Sequence, residues 1–224
     1  KKIKAELISI LKKEKIKILN SFTKIISMLT KKQKGIFFAL SFFMGIVVIA
    51  SNYLVQFPVK FYDLENLLTY GAFSYPITFL ITDLANRAFG KKFARSIVLV
   101  GFFIGIILTL FISTNFEDII SIRIAIGSAT AFFIAQNLDV NIFDRLRQKK
   151  WYVAPLISST FGSIIDTFLF FSIAFYNTGI PWFTLALGDL TVKLFVALIM
   201  LIPFRLLVIK INNFADLKIK NLNY

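Results

Sequence analysis

Apolar residues run through this chain in long blocks, separated by short clusters of Lys, Arg, Asp and Glu. Six blocks approach or exceed the roughly 20 residues that an α-helix needs to cross the hydrocarbon core of a bilayer. They lie at 36–57, 67–86, 96–115, 119–143, 153–176 and 182–209. The pattern predicts an all-α integral membrane protein with six transmembrane helices. Pro76, Pro155 and Pro203 fall inside these blocks. There the missing N–H bends a helix, and neighbouring groups can satisfy the freed carbonyl. No connection is long enough for a second domain, and no internal repeat supports an inverted-repeat architecture.

Ahead of the first block, Ile3, Leu7, Ile10, Leu11, Ile18, Phe22, Ile25, Ile26 and Leu29 recur at helical spacing among eleven Lys. This spacing predicts a basic amphipathic helix lying on an anionic cytoplasmic leaflet, where each Lys near the surface contributes about 1 kcal/mol. A nucleic-acid-binding arm or a solvated tail is the alternative for this segment. It is too long and too charged for the n-region of a signal peptide and is expected to be retained. The chain thus divides into a basic interfacial segment, 1–34, a six-helix domain, 35–212, and a tail, 213–224.

Charge then sets the orientation. Lys and Arg gather in the N-terminal segment, at Arg87 to Arg95, at Arg145 to Lys150 and at Arg205 to Lys220, whereas the intervening connections hold only Lys60 and Arg123. Twenty-three basic residues against two predict that both termini face the cytoplasm. The net charge of +14 is therefore a signature of topology, and no nucleic-acid partner is expected. Composition agrees with the membrane assignment: 57% of residues are hydrophobic and 17% charged, against roughly 25% charged in soluble domains. The absence of Cys and His excludes disulfides, thiolate or histidine nucleophiles, a histidine switch and Cys/His metal centres.

Five ionisable residues remain inside the predicted spans: Asp83, Asp139, Asp166, Asp189 and Lys193. Insertion costs roughly 2.5 to 3.5 kcal/mol for each at mid-membrane, so they need partners, water or a ligand. Asp166 lies thirteen residues beyond Val153 and Lys193 twelve before Arg205. At about 1.5 Å per residue both reach roughly 18 to 20 Å into the membrane. Asp189 precedes Lys193 by one turn and shares its face, so an acid, a base and a second acid are expected to converge. A purely structural ion pair between the last two helices is the competing explanation. Asp83 and Asp139 sit lower, roughly 6 and 9 Å from the cytoplasmic ends of their spans. Gln136 faces the same way as Asp139, and Arg87, four positions after Asp83, is placed for a local salt bridge at the rim. Ser158, Ser159, Thr160, Gly162, Ser163 and Thr167 surround Asp166 in sequence, a composition that close helix packing alone would explain.

Four stretches carry a resemblance: SYPITFLITDLANRAFG at 74–90, AQNLDVNIFDRLR at 135–147, WYVAPLISSTFGSIIDTFLFFSIAF at 151–175 and ALGDLTVKLFVALIMLIPFR at 186–205. In order and spacing they resemble the queuosine precursor transporters, from about Ile49 to Arg205. The resemblance implies a six-helix protein of the bacterial inner membrane that imports 7-deazaguanines, preQ0 or preQ1, for queuosine in tRNA. It also implies substrate-binding roles for Asp83, Asp139, Asp166, Asp189 and Lys193, to which the chemistry of a guanine-like ring adds Gln136 and Ser163. Arg87 departs from the Glu of many members. No cofactor, metal or catalytic residue is expected. The partners expected are the bilayer and a small-molecule substrate, with a coupling protein and assembly with a second copy left open. The alternatives are a substrate-binding subunit of an energy-coupled vitamin-type transporter, or a membrane enzyme holding a divalent cation at Asp83, Asp139 and Asp166. No GxxxxGK[ST] loop exists to support direct ATP use.

Overall fold

The computed structural model describes residues 26–108 and 119–214, together with Thr23. Among them the secondary structure is helical, with one isolated β-bridge between Pro58 and Thr69. The helices are α1 (Lys31–Leu54), α2 (Gly71–Ser74), α3 (Pro76–Phe89), α4 (Lys91–Leu108), α5 (Ile119–Leu146), α6 (Val153–Phe175) and α7 (Trp182–Phe214). A 3₁₀ turn at Phe61–Asn66 lies between α1 and α2. Most of the predicted amphipathic segment and the tail beyond Phe214 lie outside the described residues.

Four helices, α1, α5, α6 and α7, are long and apolar enough to cross a membrane. The other two predicted spans differ for identifiable reasons. The block at 67–86 forms α2 and α3, which meet at Tyr75; its φ of −60° and ψ of −37° keep the chain helical. What is lost there is one ladder hydrogen bond, because Pro76 has no N–H. The block at 96–115 is seen as α4, which opens on Lys91, Lys92 and Arg95; the remainder of that block, 109–115, lies outside the described residues. At the start of α1, Thr30 Oγ1 accepts from the Gln33 N–H at 3.3 Å while Gln33 Oε1 accepts from the Thr30 N–H at 3.1 Å. This reciprocal cap fixes the helix start at Lys31, five residues ahead of the apolar block.

Packing places α3 at the centre, touching α1, α4, α5, α6 and α7. Its polar residues Thr78, Thr82, Asp83, Asn86 and Arg87 are all buried. Around it, α5 and α6 form an antiparallel pair, and α1 lies on α4. The latter contact depends on small residues: a Cβ at Gly101 would strike Met44, and one at Gly105 would strike Val48. The outermost helix, α7, turns Phe195, Leu198, Ile202 and Leu206 outward and buries Asp189, Lys193, Ala197, Phe204 and Val208 at intervals of one or two turns. Polar groups inside and large apolar groups outside is the arrangement a lipid solvent selects.

The basic residues gather at one end of the bundle. Lys32 lies over the Phe214 ring at 5.7 Å, Lys91 is 3.9 Å from Asp144, and Arg205 lies over Trp151 at 4.9 Å. These contacts bring the start of α1, the α3–α4 turn, the α5–α6 turn and the last turns of α7 to the same end. At the other end Arg123 donates to the carbonyls of Ile173 and Tyr176 at 3.0 and 2.7 Å. A vestibule of about 480 Å³ opens there, between Val55, Thr69, Ile124, Phe175 and Leu185.

Candidate functional site

Lys193 is the hub of a charged cluster in the core of the bundle. Its Nζ donates to Asp166 Oδ2 at 2.9 Å and to Thr167 Oγ1 at 3.1 Å, and lies 2.6 Å from Asp189 Oδ2. Thr167 in turn donates to Asp189 Oδ2 at 2.8 Å. The depth expected from α6 and α7 therefore brings Asp166, Asp189 and Lys193 together; each is at most 3% exposed. Tyr75, at the junction of α2 and α3, puts its ring 4.7 Å from the ammonium, a cation–π contact strengthened by the dry surroundings. Two carboxylates against one ammonium leave the cluster one formal negative charge.

A narrow cavity borders this cluster. Tyr75, Asp166, Phe170, Asp189 and Lys193 form one wall; Ser51 and Asn52 of α1 and Ser128 of α5 contribute another. Those far-wall groups are ordered among themselves: Ser128 Oγ donates to Asn52 Oδ1 at 2.5 Å, and the Ser51 and Ser74 hydroxyls are 2.8 Å apart. Asp166 Oδ1 and the Tyr75 hydroxyl are buried without a hydrogen-bond partner among the described residues. The cavity accommodates only about one water in this conformation. Val55 lines both this cavity and the vestibule, so it stands between the two.

A second polar cluster lies nearer the basic end. Ser158 and Ser159 of α6 donate to the two oxygens of Asp83, at 3.3 and 3.1 Å. Asp139 of α5 faces Asp83 and Ser158, yet among the described residues neither of its carboxylate oxygens has a donor in hydrogen-bonding geometry. A water-sized pocket beside Asp83 is lined also by Ser159 and Ser163 with Phe79, Leu80 and Phe204. The Ser163 hydroxyl is buried and unpartnered.

The seven predicted site residues thus separate into three groups. Asp166, Asp189 and Lys193 meet at the central cavity, and Asp83, Asp139 and Ser163 belong to the lower cluster. Gln136 belongs to neither: its Oε1 accepts from Thr82 at 2.6 Å and its Nε2 donates to Thr78 at 2.9 Å, tying α5 to α3. The rim salt bridge expected between Asp83 and Arg87 does not form. Arg87 instead donates to the carbonyls of Arg147 and Trp151 at 2.8 and 3.3 Å and lies over the Phe143 ring. These carbonyls, at and just beyond the C-terminal end of α5, attract a cation more specifically than a neighbouring turn does. Asp166 stands in a different cluster from Asp83 and Asp139, so the three acids do not converge on one ion as the enzyme alternative required. Among the described residues no group of three acidic side chains is arranged to hold a metal.

Residues 69–208 match the family described as "Putative vitamin uptake transporter". The chain is 40% identical over 193 residues to a "Probable queuosine precursor transporter" of Haemophilus influenzae, covering 73% of this chain and 82% of that protein. It is 35% identical to the "Queuosine precursor transporter" of Escherichia coli, covering 78% of this chain and 86% of that protein. A Bacillus subtilis "Probable queuosine precursor transporter" is 26% identical over 181 residues, covering 70% of this chain and 78% of that protein. This chain belongs to the queuosine precursor transporter family. No solved structure matches it.

Within this queuosine precursor transporter family member, the matched region begins before α2 and ends in the last turns of α7, so it contains both carboxylate clusters. The α1 wall of the central cavity, Ser51 and Asn52, lies outside it. Sequence reasoning missed Tyr75 as a cavity residue, because an aromatic next to a proline carries no positional signal. It also took Ser158, Ser159 and Thr167 for packing residues. Their hydroxyls bond carboxylates, which the spacing of Ser159 and Ser163 from Asp166 along one helix hinted at but did not fix.

Proposed function

We infer that this chain imports a 7-deazaguanine precursor of queuosine across a bacterial inner membrane, through six spanning helices with both termini in the cytoplasm. Membership of the family supports the substrate class. The gathering of basic side chains at one end of the bundle supports the orientation, because Lys and Arg are retained on the cytoplasmic side. In this orientation the vestibule faces outward and leads to the central cavity past Val55.

The observation that carries the assignment of the substrate site is the buried triad of Asp166, Asp189 and Lys193 on the wall of the central cavity, with Tyr75 beside it. The edge of a guanine-like ring presents adjacent N–H donors, which a carboxylate accepts side by side. Asp166, which lines the cavity, is the acceptor for that edge. Lys193 and the far-wall Asn52 are the candidates to serve the carbonyl and ring-nitrogen acceptors. Tyr75 and Phe170 offer ring faces to the flat heterocycle. The formal negative charge of the triad favours preQ1, whose aminomethyl group is a cation. A water-sized cavity means that the conformation described is occluded, and substrate entry requires α1 and Val55 to withdraw from the opposite wall.

The test is a host that neither makes preQ0 nor carries a transporter of its own, supplied with limiting preQ1. Expression of this chain restores queuosine in tRNA, measured by mass spectrometry of nucleosides. Queuosine that stays absent while the chain is in the membrane and folded refutes the assignment.

A further inference from the structure

The substrate site as proposed leaves Asp83 and Asp139 without a task, and they are the least compensated charged groups of the interior. Both are buried, at 2% and 0% exposure. Two formal negative charges face each other across the α3–α5 contact, and among the described residues the hydrogen bonds they receive come from Ser158 and Ser159. Neither oxygen of Asp139 has a donor in hydrogen-bonding geometry among the described residues.

The cations nearby are committed elsewhere. Arg87, one turn along α3, is bound to the carbonyls of Arg147 and Trp151. Arg147 bonds Asn86 and Asp144, and Arg95 of α4 bonds Asn141. From α7 the pocket receives Ala197, Met200, Leu201 and Phe204, none of them charged, while Lys193 is held by Asp166 and Asp189. Between Ile36 and Leu54, α1 carries no charged residue. Buried like charges in contact without a counter-ion are stable only if a cation joins them.

We propose that Asp83 and Asp139 share one proton and that its uptake from outside and release to the cytoplasm drive import, which makes them the coupling site of the importer inferred above. The proton adds to one carboxylate oxygen and is held between the two side chains, as in other close carboxylate pairs. A hydrated metal ion is the weaker candidate, because the adjoining pocket is no larger than a water and hard cations such as Mg²⁺ or Ca²⁺ need six or more oxygen ligands. A path to the substrate site is also present. Ser159 bonds Asp83, Ser163 is buried and unpartnered one turn further along α6, and Thr167 in the triad follows after another turn. At about 1.5 Å per residue these hydroxyls are spaced some 6 Å apart along the helix axis, a gap that one water bridges. The pair lies toward the basic end, so the proton leaves on the side where the substrate is delivered.

The experiment uses the full chain in proteoliposomes with labelled preQ1. In the wild type a gradient with the acidic side outside drives accumulation, and a sodium gradient does not. Asp139→Asn and Asp83→Asn still bind preQ1 and exchange it across the membrane without a gradient, but lose gradient-driven accumulation by at least tenfold. Infrared difference spectra give an independent readout: a protonated-carboxyl carbonyl band that shifts in D₂O is present in the wild type and missing from both variants. Accumulation by Asp139→Asn equal to wild type, accumulation driven by sodium, or loss of preQ1 binding in a folded Asp139→Asn each overturns the proposal. Failure of the import assignment looks different, since the wild type then neither binds nor moves preQ1. The infrared band alone still decides the proton site in that case, its absence from the wild type overturning it. Where Asn at position 139 prevents folding, Asp139→Glu replaces it, with displacement of the same band as the expected result.

Discussion

Lys193 and Asp166 belong to one ion cluster, yet the geometry predicts very different consequences for their removal. Lys193→Met takes away the cation that contacts two buried carboxylates, at 2.9 and 2.6 Å. Breaking one buried ion pair by deleting a partner costs about 3 to 5 kcal/mol. Here two contacts go at once and Asp166 and Asp189 are left facing each other, so the upper end of that range applies, which is three to four decades in the folding equilibrium at about 1.4 kcal/mol per decade. Asp166→Asn is milder. The 2.6 Å contact between Lys193 and Asp189 persists, Thr167 still donates to Asp189, and the new amide oxygen can accept from Nζ. The loss is the charge-assisted part of one hydrogen bond, about 1 to 2 kcal/mol.

The two variants should therefore differ by roughly 3 kcal/mol. Heating detergent-solubilised protein followed by size-exclusion chromatography gives the ranking, and unfolding in mixed micelles gives the gap. Uptake and preQ1 binding are measured on the same preparations. Asp166→Asn is expected to fold nearly as well as the wild type and to lose preQ1 binding, whereas Lys193→Met is expected to lose the fold. The double variant retains Asp189 with Thr167 as its donor and should fall between them in stability without regaining uptake. Equal stability of Lys193→Met and Asp166→Asn would refute Lys193 as the hub, and wild-type uptake by Asp166→Asn would refute the substrate site.

Two further outcomes test the frame in which the site sits. Because the chain has no cysteine, single cysteines at Lys92 and Lys149 should be shielded from impermeant thiol reagents in intact cells while one at Asp63 labels; labelling at Lys92 would reverse the topology. Gly188→Ala should cost about 1 to 3 kcal/mol through overpacking, because its Cβ would collide with the Leu67 carbonyl, and a thermal shift indistinguishable from zero would disprove that contact between α7 and the connection from α1 to α2.

The long helices were legible in the sequence because lipid imposes a single rule on them: enough apolar residues in a row, with polar positions turned inward. Where that rule is relaxed, legibility falls. Surrounded by protein on every side, α3 needs no apolar face, and its Thr78, Thr82, Asp83, Asn86 and Arg87 weaken the hydropathy that would have marked its limits. The convergence of Asp166, Asp189 and Lys193 followed from depth alone, since two antiparallel helices of known rise fix what lies level. Side-chain pairing within a cluster does not follow from depth. Asp83 and Arg87 have the spacing of a helical salt bridge, but the carbonyls of Arg147 and Trp151, brought in by the α5–α6 turn, hold the guanidinium instead. Gln136 shared a face with Asp139 and still went to Thr78 and Thr82, because two α3 hydroxyls one turn apart satisfy both ends of its amide.

The organisation of α6 gives the two clusters a physical relation. Ser159 bonds Asp83, and two turns later Thr167 joins the triad while Asp166 receives Lys193, so one helix serves both. Between these levels the Phe79 ring of α3 seats against Gly162, where any larger side chain would displace it. The Phe79 ring is apolar material between the two levels, and each cluster makes its own hydrogen bonds and ion pairs. Charge changes at one level must then act on the other through movement of α6 against α3 and α7, or along the hydroxyls of Ser159, Ser163 and Thr167. With substrate at the upper cluster and the proton at the lower one, as proposed above, α6 is the element through which occupancy of one site would change the shape of the other.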